Sequence, residues 1–250
     1  MKAKLLFPVT VALLVLLAAN YCVAQQQHPR VLILVTSADK FPDGRPTGLW
    51  LEEYAIPYDT FAKAGFEMTV VSPKGGETPV DPRSKGTAEQ ENAWANAIKA
   101  LHTATRLSSS IRANDFDAIF IPGGHGPLFD LAIDPQSVKL ISEFARSGKP
   151  VASVCHGPAA LIGVTLTNGE PFVKGKKVTS FSDSEEVAAD SQHTVPFSVQ
   201  QKLTALGGHY SQGANFTEYT VADGNLITGQ NPSSSGKVAQ LLLEAIKARN

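Results

Sequence analysis

Cysteine is scarce, with two residues in 250. That leaves room for one disulfide at most and excludes a fold stapled by several bridges. Charge of neither sign prevails: the formal net charge is −1. No basic run and no stripe of interleaved basic and aromatic residues occurs, so no nucleic-acid partner is expected. The sequence has no G-x-x-x-x-G-K-[ST] phosphate cradle, no H-E-x-x-H, no paired C-x-x-C and no acidic cluster. Neither a metal nor an organic cofactor is therefore expected.

Long apolar runs are absent except at the start. "MKAKLLFPVTVALLVLLAANYCVAQQQ" carries Lys2 and Lys4, an apolar stretch from Leu5 to about Ala19, and small residues before three glutamines. This order describes a secretory signal peptide over residues 1–24, cleaved after Ala24. A retained membrane anchor is the alternative. A lipoprotein reading through Cys22 is weaker, because bulky Tyr21 precedes the cysteine. Cleavage would move the formal charge from −1 to −3 by removing Lys2 and Lys4. It would also leave Cys155 as the sole cysteine of an exported chain with no stable membrane association.

Residues 25–250 are expected to form one domain. "RVLILVT" (Arg30–Thr36) and "FEMTVVS" (Phe66–Ser72) have β-rich composition. Between them "LWLEEYAIPYDTFAKAG" reads as a helix stopped by Gly65, in which Pro57 either kinks the helix or begins a second segment. The polar-faced stretch "GTAEQENAWANAIKALHTATRLSSS" also reads as helical. "FDAIFIPGGHG" is a strand entering a glycine-rich turn, and "PQSVKLISEFARSGK" an amphipathic helix with proline at its start. "PVASV" is a strand and "PAALIGV" the start of the next helix. "EYTVADGNLITG" reads as a hairpin turning at Asp223-Gly224, and "SSSGKVAQLLLEAIKAR" as a closing helix. This alternation predicts a mostly parallel α/β sheet covered on both faces.

Cys155 ends the apolar run "PVASV" and is followed at once by His156 and Gly157. A nucleophile on a sharp strand-to-helix turn is a nucleophile elbow, here Ser153-Val154-Cys155-His156-Gly157. It would present the thiol at the carboxyl end of the sheet, where open α/β folds bind ligands. A helix N-terminus beneath the sulfur and an adjacent imidazole predict a thiol pKa below the free value of about 8.5.

Five stretches together resemble the DJ-1/PfpI superfamily, within it the Hsp31-like branch of class I glutamine-amidotransferase-like proteins. They are "TGLWLEEYAIPYDTFAKAGFEMTVVSPKGG", "DAIFIPGGHGPLFDL", "VASVCHGPAALI", "VTSFSDSEEVA" and "DGNLITGQNPSSSGKVA". The resemblance implies a flavodoxin-like, doubly wound sandwich and a homodimer. It also implies a glutathione-independent glyoxalase (glyoxalase III), a deglycase, a protease or a chaperone. By this resemblance Cys155 is the nucleophile, and His156 is a proton carrier whose backbone N–H is an oxyanion donor. Glu53 is an acid hydrogen-bonded to the sulfur, with Glu52 as its neighbouring rival. Gly123 and Gly124 supply backbone N–H groups to the oxyanion hole. Glu186 orients the histidine, with Glu185 as its rival. His125 stands beside this pocket as a turn cap. His28, His102, His193 and His209 are set aside as ordinary structural or surface histidines.

Glutamine amidotransferases of this architecture activate the cysteine with a downstream H-x-E, which is absent after Cys155. The expectation is therefore cofactor-independent conversion of a small dicarbonyl, methylglyoxal, to lactate, with release of glycation adducts as a related activity. A cysteine peptidase or amidase is the first alternative. A stress-response holding chaperone or redox sensor is the second.

Overall fold

A computed structural model describes residues 28–249. The expected signal segment, its cleavage point and Cys22 lie outside the described residues. The β-rich run Arg30–Leu34 is β1, followed by β2 (Glu67–Ser72), β3 (Thr105–Arg106), β4 (Ala118–Ile121) and β5 (Val151–Val154). β6 (Lys177–Val178) and β7 (His209–Tyr210) pair with each other, and β8 (Thr220–Asp223) and β9 (Leu226–Gly229) form the predicted hairpin. Seven strands make one sheet in the order β3-β2-β1-β4-β5-β9-β8. All its pairings are parallel except β8 with β9.

Both faces of the central strands β1, β4, β5 and β9 are dry, which is why these strands read as continuous apolar runs. Alternate residues point to opposite faces. Leu32, Leu34, Ile119 and Ile121 pack on one side with Leu140, Ile141 and Phe144 of a helix, Pro135–Arg146. Val31, Ile33, Phe120 and Val154 pack on the other with Tyr54 and Phe61 of Leu51–Lys63 and with Val238, Leu242 and Ile246 of Ser235–Lys247. In chain order the helices are α1 (Leu51–Lys63), α2 (Ala88–Ala93), α3 (Ala95–Leu101), α4 (Pro135–Arg146), α5 (Asp183–Ala188), α6 (Val199–Ala205) and α7 (Ser235–Lys247).

Helix α1 runs unbroken through Pro57, which costs it one N–H but does not end it. The segment from Gly86 to Ser110 departs from the all-helical expectation. A Thr87–Gln90 capping box starts α2, a break at Trp94 separates α3, and Thr105 leaves the helix to pair with Val71. Thr103 and Thr105 are β-branched, and the edge of β2 offers them a ladder. The helix expected after Cys155 is a five-residue 3₁₀ turn, Gly157–Leu161. Its backbone cannot supply the dipole of a long α-helix.

After β3 the chain crosses to the far side of β1 to form β4. The strand order reverses there, and the crevice at the carboxyl ends of β1, β4 and β5 is where such sheets hold ligands. The turn after β4, the turn after β5 and the first turn of α1 meet at that end.

Candidate active site

Cys155 directly follows β5 and has φ of +60°. A non-glycine residue in the left-handed region is strained by about 1–3 kcal/mol and persists only where neighbours fix it. Two backbone bonds do so: Cys155 N–H donates to Gly229 O at 2.9 Å, and Phe181 N–H donates to Cys155 O at 2.9 Å. The thiol lies in a closed space, with the residue only 4% exposed. The backbone N–H groups of Gly124 and His156 favour the sulfur's anion.

Glu53 reaches this space from the first turn of α1 and is fully buried. Its Oε2 accepts the Gly123 N–H at 2.8 Å, while Oε1 has no partner that meets hydrogen-bond geometry among the described residues. Gly123 is where a side chain cannot fit: a Cβ there would stand 2.7 Å from Glu53 Oε2 and 2.7 Å from His156 N. Gly124 turns the chain at φ +81°, and a Cβ on it would lie 2.4 Å from Trp50 N. Gly123 gives its N–H to Glu53 and not to an oxyanion, whereas the Gly124 N–H favours the charged forms of both Cys155 and Glu53.

Burial pushes Glu53 up to about 8, opposed by its interactions with the Cys155 thiol and the Gly123 N–H. Burial, and then the Glu53 charge, push the Cys155 thiol well above its ordinary value. The expectation of a depressed thiol is overturned. The short 3₁₀ turn offers little dipole, and desolvation disfavours the anion in so dry a place. Two ionisable groups in one apolar space ionise in succession, since the first charge opposes the second.

On the other flank, Cys155 Sγ lies 3.3 Å from His156 Nδ1, and His156 Nε2 lies 2.7 Å from Glu186 Oε1. Ser191 Oγ donates to the remaining Glu186 oxygen. Burial alone would raise Glu186; the hydrogen bond and charge of His156, then Ser191, outweigh it and hold the carboxyl below its usual value. Nucleophile, imidazole and orienting acid thus stand in line, the arrangement that activates a nucleophile through a base. Glu185 has a different task. It accepts from Ser182 N–H at 3.0 Å, Phe216 N–H at 2.8 Å and Asn231 Nδ2 at 2.8 Å, tying α5 to two other loops.

The His156 ring is stacked between His125, 4.4 Å away, and Phe181, 4.6 Å away. His125 caps nothing with its side chain. His125, His156 and Glu186 offer ligand atoms within 4.8 Å of one another, a grouping the linear motifs did not reveal. The His156–Glu186 contact is a hydrogen bond, and His125 Nδ1 faces Arg83 Nη2 at 3.1 Å, which leaves His125 Nε2 as the one ring nitrogen of the two imidazoles without a partner among the described residues. This fits proton handling better than metal ligation. Ser191, Arg83 and the inward face of His125 went unread in the sequence. Ser191 and Arg83 join the site through contacts 5 and 42 residues apart, and neither pairing has a local signature.

Known proteins resemble this chain over nearly its whole length. The model of the DJ-1/PfpI family matches residues 47–245. The glutathione-independent glyoxalase HSP31 of Saccharomyces cerevisiae is 30% identical over 233 residues, covering 87% of this chain and 98% of that protein. Among solved structures, the 24 kDa Rapid Encystment Protein of Francisella tularensis is 30% identical with a TM-score of 0.82, covering 87% of this chain and 99% of that one. Glyoxalase III of Candida albicans is 29% identical with a TM-score of 0.76, covering 87% and 97%. The match spans the elbow, the glycine turn and the start of α1, and the chain belongs to the DJ-1/PfpI family.

Proposed function

We propose that this protein converts methylglyoxal, or a close 2-oxoaldehyde, to the 2-hydroxy acid without glutathione. The observation that carries the reading is Cys155, held at positive φ between a carboxyl near neutrality and an imidazole paired with a second carboxylate. The similarity to proteins named as glutathione-independent glyoxalases supports it. The closed surroundings of the sulfur suit a small carbonyl compound better than a peptide chain.

Cys155 Sγ attacks the aldehyde carbon and its proton passes to His156 Nδ1, with Glu186 balancing the imidazolium. The N–H groups of Gly124 and His156 meet the oxygen of the new hemithioacetal. Glu53 then removes the hydrogen from the former aldehyde carbon and returns it to the neighbouring carbon through an enediol. A group that titrates near neutrality is suited to both halves of that transfer. One carbon rises to the acyl level while its neighbour falls from ketone to alcohol, so no external oxidant or reductant is consumed. Water hydrolyses the resulting thioester, releases lactate and restores the thiol.

The test is lactate formation from methylglyoxal without glutathione, for wild type and Cys155→Ala. Wild type should turn over and Cys155→Ala should not. Equal turnover by both would sink the reading. We also propose export and dimer formation; intact mass from the native host and light scattering check them.

A further inference from the structure

We propose that His125 is a substrate-binding residue whose Nε2–H donates a hydrogen bond to the second oxygen of the dicarbonyl, the ketone oxygen next to the carbon bound to Cys155. The inference rests on the reading of Cys155 as a nucleophile toward dicarbonyls and adds the residue that would select for two adjacent carbonyls.

The tautomer follows from chemistry. His125 Nδ1 lies 3.1 Å from Arg83 Nη2. A guanidinium only donates, so Nδ1 accepts and the ring proton sits on Nε2. Arg83 is held in turn by Asp81, 2.7 Å away, whose side chain is buried and also accepts from Thr47. The Nε2–H so fixed is buried and meets no acceptor among the described residues. The residue is only 6% exposed, and an unmet buried donor is unfavourable unless a ligand or water completes it. The ring packs between Phe41 and His156 and stands one ring away from the sulfur. It directly follows Gly124, whose N–H favours the anions of Cys155 and Glu53. Burial, and then the nearby His156, keep His125 neutral down to about 3, so it donates without acting as an acid.

Two donor sets thus match two oxygens. Gly124 and His156 N–H take the oxygen on the carbon that bonds to sulfur. His125 Nε2–H takes the other. When the C–H bond of the hemithioacetal carbon breaks, its proton goes to the base and its electron pair forms the carbon–carbon double bond. The ketone π pair moves onto the second oxygen, and a preorganised donor there stabilises the developing charge. A simple aldehyde lacks that oxygen.

The experiment compares wild type, His125→Phe, His125→Gln and Arg83→Met by steady-state lactate formation, iodoacetamide alkylation of Cys155 and imidazole ¹⁵N NMR. Hydroxyacetone, a ketone without the aldehyde, serves as the unreactive probe. His125→Phe should lower kcat about 10²-fold with a smaller change in KM, the loss expected for one donor to a developing oxyanion. Its alkylation rate should stay within threefold of wild type, and His125→Gln should recover part of kcat. Wild-type NMR should show neutral His125 protonated at Nε2, shifting when hydroxyacetone binds. Arg83→Met should mix the tautomers and lower kcat, which keeps the inference testable if His125→Phe fails to fold.

Turnover by His125→Phe within threefold of wild type overturns the inference, as does a parallel loss of alkylation, which would mark a merely structural role. A proton on Nδ1, or a His125 signal unmoved while hydroxyacetone protects Cys155, overturns it too. If wild type forms no lactate, the glyoxalase reading falls by itself. The NMR arm then decides alone whether His125 binds a ketone.

Discussion

Glu53 and Glu186 are both buried carboxyls within reach of the Cys155–His156 pair, on opposite flanks of it. Glu53 comes from the first turn of α1 and meets a thiol and one backbone N–H, so desolvation dominates and pushes it to about 8. Glu186 comes from α5 and meets an imidazole and a hydroxyl, so its interactions outweigh burial and hold it low. Equal chemistry in unequal surroundings yields one carboxyl that holds its proton to about 8 and one that gives it up below its ordinary value. Acids pushed apart in this way are how a single fold assigns acid and base roles at neutral pH.

The sharpest break of that comparison is to neutralise each acid. Glu53→Gln keeps the shape but cannot take up a proton as a carboxylate does. Lactate formation should fall by roughly 10²–10⁴-fold. Glu186→Gln should cost less, about 10–10²-fold, because it orients His156 and does not move the substrate's proton. Equal losses in the two variants would mean that the two flanks do the same work.

Stability should separate the acids by sign. Glu53 is raised in the folded state, so that state binds its proton more tightly than the unfolded chain does. Folding stability is favoured below about 4.5 and declines as pH rises toward about 8. Glu186 is lowered, so its contribution is present above its ordinary value of 4.5 and is lost as pH falls through its depressed folded pKa. Glu53→Gln should therefore raise the melting temperature at pH 8–9 relative to wild type, by several degrees for an effect on the order of 1–2 kcal/mol. Glu186→Gln should lower it at pH 7 and change it little in strong acid. Thermal melts from pH 3 to 9 read both slopes, and slopes of one sign would show the assignment to be wrong.

Adjacent glutamates make the same point on a smaller scale. Glu185 is a buried acceptor for backbone and amide donors of three segments. Glu185→Gln places an amide N–H where one of those donors points, at a cost of about 2–3 kcal/mol. The melting temperature should drop by roughly 5–10 °C, while turnover per folded molecule stays near wild type.

The cysteine and its adjacent imidazole were legible because they sit in a local pattern, a β run ending at Cys155 and followed by His156, whereas Glu53 and Glu186 were singled out only through the family resemblance. The sheet was legible for the same reason, since each long strand is its own apolar run. What the pattern could not carry was depth. Cys155 has the neighbours of an acidic thiol, but only packing shows that the sulfur is dry and shares its space with Glu53. Nor could it show that the Gly123 N–H is already engaged, because the residue that claims it lies 70 positions away. The helix misread near Thr105 was also non-local: polar residues with helical spacing were taken by the open edge of β2.

The smallest effect is expected at Glu52. It precedes Glu53 in the first turn of α1 and is only partly buried. Consecutive helical residues project about 100° apart, so Glu52 turns away from the thiol that Glu53 faces. Its charge still reaches its neighbour and contributes to holding Glu53 high. Glu52→Gln should therefore leave maximal lactate formation within twofold of wild type. The same change removes an anion next to an acid, which eases ionisation of Glu53 and moves the kcat–pH profile slightly toward acid. A rate–pH series on this one variant checks both statements. A loss of the size expected for Glu53→Gln would place the working carboxyl one residue earlier. A profile shifted toward alkali would show that Glu52 acts on Glu53 through something other than its charge.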